Sequence, residues 1–243
     1  MKAFSVSMSA FKSNRLFATA ALLVLACPVH AQSFCASDGQ PRPVQLMERL
    51  INADCETCWT DPATPTAGAG VLALDWVAPG SKGDEAPLST VASADASLRL
   101  HALGEAVPAG SSVRKRPVKW ISASTLRVAH GLPVADYLGA SIELKPIPVS
   151  AKKQQWTSWL ALVETLPAGT EGSPIERNLV RNLLQSNWDG HRQLSKNEQN
   201  RFFESRSMSI ARAANPNRLR VIGWVEDEKG QVVAAAQSRC VEQ

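Results

Sequence analysis

Residues 156–164, WTSWLALVE, are apolar on both faces of an extended chain: Trp156, Leu160 and Leu162 alternate with Trp159, Ala161 and Val163. A strand of that kind is covered on two sides. Residues 71–77, VLALDWV, read as a second buried strand, closed by Pro79-Gly80. Residues 219–227, LRVIGWVED, and 231–238, QVVAAAQS, form a hairpin pattern around Glu228-Lys229-Gly230. Shorter strand patterns recur at WISAS (120–124), TLRVAH (125–130), ASIELKPI (140–147) and RSMSIARA (206–213). Several short strands with regular turns predict a β-sandwich over residues 118–243.

The first half is less uniform. Residues 44–51, VQLMERLI, satisfy two patterns: Leu46, Met47, Leu50 and Ile51 form a helical stripe, while Val44, Leu46 and Leu50 alternate as a strand if Glu48 is tolerated. Asp61-Pro62 marks a helix start, but Pro65 and Gly68 limit it to a turn or two. Residues 80–117 mix Gly, Ser, Ala and Pro, with one short helix predicted around 94–103.

The N-terminus changes the meaning of the composition. Residues 1–15 carry Lys2, Lys12 and Arg15 and no acid, an apolar run follows, and Val29-His30-Ala31 precedes Gln32. These are the three parts of a secretory signal peptide, with cleavage expected after Ala31. The run is too short to span a bilayer. A weaker lipoprotein pattern, Val24-Leu25-Ala26-Cys27, places the alternative anchor at Cys27. Without residues 1–31 the 26 basic residues fall to 23 against 22 acidic ones, so the basic charge belongs mostly to the signal. A near-neutral mature chain has no footprint for nucleic acid. Its one basic run, Arg114-Lys115-Arg116, reads as a solvated loop.

Four cysteines remain in the mature chain: Cys35, Cys55, Cys58 and Cys240. An even number in an exported chain favours disulfides. Cys35 and Cys240 lie near opposite ends, and chain termini are often close together, so they are expected to staple the ends. Cys55 and Cys58 are then left for each other, in DCETCW (54–59). Haem attachment requires His after the second Cys, where Trp59 stands. Zinc requires further ligands at short spacing, and His101, His130 and His191 are not paired. Neither metal nor cofactor is expected. What remains is thiol–disulfide exchange or a structural bridge, with Asp54 and Glu56 beside Cys55 opposing thiolate formation.

The order VQLMERLINADCETCWTDPA…VLALDWVAP resembles a secreted thioredoxin-like family of unknown function from Gram-negative bacteria, in which a CxxC-bearing thioredoxin-like half precedes a β-rich half. The later segments WLALVET, IERNLVRNLLQSNWDG and LRVIGWVEDEKGQVVAAAQ agree in outline, so the resemblance runs over residues 44–243. It implies that residues 44–52 are a strand, that Cys55 attacks and that Cys58 resolves. The chain departs from that family in the stunted helix after CxxC. The cis-proline that faces the pair in such proteins has only Pro108 and Pro117 as candidates.

Seven tryptophans against one tyrosine are read as core packing for Trp120, Trp156, Trp159, Trp188 and Trp224. His130 and His191 have no nucleophile elbow to serve, and Asp136, Glu143 and Glu164 show no partners in sequence. The expected fold is therefore α/β plus all-β, a divergent, shortened thioredoxin-like segment over 32–117 followed by a β-sandwich. The expected role is periplasmic or secreted: thiol–disulfide exchange or a redox-sensitive accessory function through Cys55 and Cys58, with another envelope protein as partner, or alternatively a non-enzymatic binding or assembly module with purely structural disulfides.

Overall fold

A computed structural model describes residues 35–121, 123–190 and 200–240. The expected signal segment 1–31, its exit at Ala31, Cys27 and His191 lie outside the described residues. The remainder belongs to one unit, Gln32–Gln243. In chain order the elements are β1 (Cys35–Ala36), β2 (Gln45–Asn52), α1 (Glu56–Trp59), β3 (Val71–Ala78), α2 (Ala94–Leu103), β4 (Ser111–Pro117), β5 (Thr125–His130) and β6 (Tyr137–Lys145). There follow β7 (Gln155–Leu166), β8 (Arg177–Asp189), β9 (Phe202–Ser209), β10 (Leu219–Glu226), β11 (Val232–Gln237) and β12 (Arg239–Cys240).

They form two sheets. One has the order β12-β1-β5-β6-β9 and the other β11-β10-β7-β8-β3-β2-β4. This corrects the expected fold class. The protein is predominantly β, and strands β2, β3 and β4 share one sheet with β7, β8, β10 and β11. Among the described residues no separate α/β layer is built, because α1 spans four residues and α2 ten. Local periodicity identifies a strand but not the sheet it joins, and the two halves meet where β8 lies beside β3, at the parallel register of Asp75 with Leu179.

Pairing settles the ambiguity at residues 44–51. β2 lies parallel to β3 and antiparallel to β4, in the interior of its sheet. Both its faces are buried, so the alternation is interrupted by paired charges rather than by solvent. Glu48 shares the face of Leu46 and Leu50 and meets Arg99 of α2, with Nε–Oε1 2.7 Å and Nη2–Oε2 3.0 Å. Arg116 of β4 closes the group, at 2.8 Å from Glu48 Oε2 and 2.7 Å from Glu226 Oε1. The basic run is therefore an edge strand, and Arg116 belongs to a buried network rather than a solvated loop. Arg114 pairs with Glu105. Two further local readings are corrected. Of the expected strand at 120–124, the described residues Trp120, Ile121, Ala123 and Ser124 lie outside any strand, and Trp120 instead donates Nε1–H to the Pro43 carbonyl at 2.6 Å. The helix expected at Asp61 sits earlier, inside CxxC, because Pro62, Pro65 and Gly68 leave only turns after it.

Three apolar clusters hold these layers. Leu160, Leu162, Trp156 and Val221 of the larger sheet pack against Leu126, Val128, Ile142 and Leu144 of the smaller one. Gly223 lies at this seam; a Cβ there would stand 2.5 Å from Val128 and 2.9 Å from Ile142, so only glycine lets the sheets approach this closely. On the opposite face, Leu46, Leu74 and Trp76 take Ala96 and Leu100 of α2. Trp159 stacks on Trp224 at 5.8 Å, Trp76 meets Trp224 edge-on, and the Arg99 guanidinium covers both stacked rings. The expected core role of the tryptophans describes this cluster, with Trp156 and Trp188 buried in the other. A third cluster, Ile51, Ala53, Trp59, Val77, Leu166 and Leu179, lies beneath the CxxC turn.

Candidate functional site

The chain leaves β2 at Asn52, turns through Ala53-Asp54 and enters α1, so CxxC sits at the end of an interior strand. Cys55 and Cys58 form a disulfide with Cα atoms 5.4 Å apart. Both are partly exposed. They are not equivalent: Cys58 packs against the Trp59 cluster and lines a cleft of about 70 Å³ with Arg49, Ile51, Asp61, Pro65 and Ser111. Cys55 Sγ stands on the solvent side, 3.5 Å from Thr57 Oγ1.

Three anchors fix the turn. Trp59 is buried; its Nε1–H donates to the Glu171 carbonyl at 2.8 Å, and its own carbonyl accepts Arg177 Nη2 at 2.8 Å. Arg177 also lies over the Trp59 ring and binds Asp75 Oδ1 at 2.7 Å. Asp75, fully buried on β3, takes Arg49 on its other oxygen at 2.7 Å and the Asn178 amide at 2.9 Å. The second anchor is Asn52, whose Oδ1 accepts the Asp54 N–H while its Nδ2 donates to the Pro108 carbonyl. The third is Asp54. Its carboxylate accepts Ser81 N–H and Oγ–H at 2.8 Å and Lys82 N–H at 3.2 Å. Desolvation opposes ionisation there, but those hydrogen bonds and the Lys82 charge outweigh it, so the Asp54 carboxyl is held below its usual range. The acid that sequence sets against a reactive Cys55 is thus committed to the 81–82 loop.

Opposite the disulfide runs the backbone that enters β4. A Cβ on Gly110 would lie 3.1 Å from Cys58 Sγ and 3.7 Å from Cys55 Sγ. Gly110 also accepts the Asn52 N–H at 2.8 Å. Glycine therefore stands where a side chain would press on the sulfurs. Neither Pro108 nor Pro117 is cis; among the described residues the cis bond is Lys145-Pro146.

The second pair, Cys35–Cys240, joins β1 to β12 with a sequence separation of 205. His130 of β5 lies directly opposite Cys35. Its Nδ1 is 2.9 Å from the Gly131 carbonyl, and its Nε2 is buried without a partner among the described residues. Burial lowers the His130 pKa, the Gly131 bond opposes this, and the nearby Arg220 charge lowers it further. A histidine whose folded value lies below its unfolded value of about 6.5 stabilises the fold above that pH. That contribution is lost as pH falls through 6.5 toward the folded value. A thermal-melt series from pH 7.5 to 5 is expected to show declining stability that His130→Gln flattens; parallel curves for both proteins contradict this assignment.

Other residues singled out in sequence have structural roles. His101 is exposed in the last turn of α2. Glu164 pairs with Arg181 at 2.6 Å and accepts the Asn215 amide, and Glu143 pairs with Arg201 at 3.2 Å. Asp136 contributes its backbone carbonyl to Ile210. Gly110, Asn52, Trp59 and Arg177 escaped sequence reasoning. Of these only Trp59, adjacent to the motif, carried a local signal.

Two disulfides are present, and among the described residues no helix is long and apolar enough to cross a membrane. No protein-family model matches the chain, and no curated protein matches it. Among solved structures the chain is similar to HBP35 of Porphyromonas gingivalis, with a TM-score of 0.48 and 8% identity over 81% of this chain and 74% of that one. A likeness that distant carries no weight for function.

Proposed function

We propose that this is an exported protein that exchanges disulfides with another envelope protein through Cys55 and Cys58. The observation that carries the reading is the partly exposed CxxC disulfide facing the side-chain-free backbone of Gly110. No side chain stands between that backbone and the sulfurs, and Cys55 Sγ is reached from its solvent side. The sulfur on the solvent side, Cys55, forms the bond to the partner, and Cys58, packed on the Trp59 cluster, closes the ring. In the reduced protein the Cys55 thiolate attacks a partner disulfide and releases one partner thiolate. The Cys58 thiolate then attacks Cys55 Sγ, releasing the second partner sulfur and restoring the Cys55–Cys58 bond. Bracing by Asn52, Asp54 and Trp59 holds the turn through this cycle.

Export is supported by the signal pattern of residues 1–31 and by both disulfides. Kinship to the secreted thioredoxin-like family is supported at the level of this turn: CxxC follows β2, which lies between parallel β3 and antiparallel β4. The same bracing favours the second reading, a binding or assembly module in which both bridges are structural.

Trapping separates the two. Cys58→Ser cannot resolve a mixed disulfide, so envelope extracts of that variant are expected to show thiol-sensitive covalent adducts through Cys55. Cys55→Ser should show none. Absence of adducts in both variants, with the proteins folded, favours the structural reading.

A further inference from the structure

We propose that Cys35, Cys240 and His130, once the terminal disulfide is reduced, form a binding site for a thiolate-preferring d10 cation, of which Zn²⁺ is the test case. The three positions are adjacent across the strands β12, β1 and β5: Cys35 stands opposite Cys240 on one side and His130 on the other. Directly opposed residues project to the same face of a sheet. One ligand atom from each of the three lies within 4.8 Å of the other two. Reduction frees the sulfurs to part to the separation that a tetrahedral ion requires.

The histidine has a ring nitrogen free to act as a ligand. Its Nδ1 is committed to the Gly131 carbonyl, an acceptor, so Nδ1 carries the proton and Nε2 presents its lone pair. Metal-bound imidazoles are held in this way by a carbonyl or carboxylate on the far nitrogen. Nε2 is buried and has no hydrogen-bond partner among the described residues, an unusual state for a buried polar atom. Two thiolates and one imidazole suit Zn²⁺, leaving a fourth position for water. Cys240 is partly exposed, which gives a dithiol reductant, itself left as a disulfide, access to a bridge whose other half is buried. Disulfide and metal are mutually exclusive, so the clasp between the chain ends has two closed forms, one oxidised and one metal-bound. The proposal is independent of the exchange assigned to Cys55 and Cys58.

The test uses the mature chain carrying Cys55→Ser and Cys58→Ser, which removes the other sulfur pair. A water-soluble phosphine reduces Cys35–Cys240, the phosphine becoming its oxide with oxygen from water and both sulfurs becoming thiols. Zn²⁺ is then titrated without oxygen against a chromophoric chelator, and binding displaces the two thiol protons. The expected result is one Zn²⁺ per reduced chain and none per oxidised chain. His130→Ala should weaken binding at least about tenfold, given that even outer-shell partners of such ligands are worth about 10–100-fold, while His101→Ala should leave it unchanged. Reduced protein that binds no zinc, or binding undiminished in His130→Ala, overturns the proposal. A second measurement needs no variant: Zn²⁺ added to the reduced unaltered chain should slow alkylation of Cys35 and Cys240, read by mass mapping. Equal alkylation with and without zinc overturns it as well.

Discussion

Replacing Glu226 with alanine is expected to cost the fold about 3–5 kcal/mol, the range for breaking a buried ion pair from one side. Glu226 sits at the end of β10 beneath α2 and accepts four hydrogen bonds. Arg99 Nη2 and Arg116 Nη1 reach Oε1 at 2.7 Å, Trp224 Nε1 reaches it at 2.9 Å, and Trp159 Nε1 reaches Oε2 at 3.1 Å. With Glu48 it balances two arginines, one of them fully buried. Removing it leaves one uncompensated positive charge and two indole N–H groups without acceptors under the helix. Urea denaturation should show a much lower midpoint with the slope unchanged. Glu226→Gln should lose less, because its amide oxygen keeps part of the set. The pH dependence has a definite sign. Burial raises the Glu226 pKa, but Arg99 and Arg116 lower it more, so the folded value lies below the ordinary carboxylate value. Its stabilisation is therefore complete above the unfolded pKa of about 4.3 and disappears as pH falls through the folded value. An alanine variant as stable as the parent contradicts this account of the α2 face.

Removing the terminal bridge is expected to have the second large effect. The chain-entropy model assigns about 5 kcal/mol to a loop as long as the one Cys35–Cys240 closes, as an upper figure, and about 2 kcal/mol to the four-residue CxxC ring. At about 2–4 °C per kcal/mol for a chain of this size, Cys35→Ser with Cys240→Ser should lower the melting temperature by roughly 10–20 °C. The Cys55→Ser and Cys58→Ser pair should lower it by less than half as much. The inequality also bears on function, since a bridge that must open and close during exchange suits a fold that tolerates its opening. Equal losses from the two pairs would remove that argument.

What was legible in the sequence follows from where the information lies. β3, β7 and the β10–β11 hairpin were readable because each segment's own apolar pattern specifies a buried strand. The cysteine pairing was readable because chain position already separates two terminal residues from two adjacent ones. β4 was not, since SSVRKRP has no apolar alternation beyond Val113 and is held by partners on β2 and by Glu226, 110 residues from Arg116. The fold class failed for a related reason. VQLMERLI and WLALVE each look like part of a local unit, yet β8 alone decides that they share a sheet, and its pairing with β3 is a single parallel register at Asp75 and Leu179. At the site, CxxC announced itself. Gly110 approaching the sulfurs and Asp54 turned to Ser81 are products of tertiary geometry that no spacing rule encodes.

The exchange reading meets its most direct test in the reduction potential of Cys55–Cys58, measured by equilibration with glutathione redox buffers in protein whose Cys35–Cys240 bridge stays closed. A pair that turns over is predicted to titrate above about −300 mV, the range of labile and catalytic disulfides. A potential well below about −300 mV, where inert structural bridges lie, would contradict it.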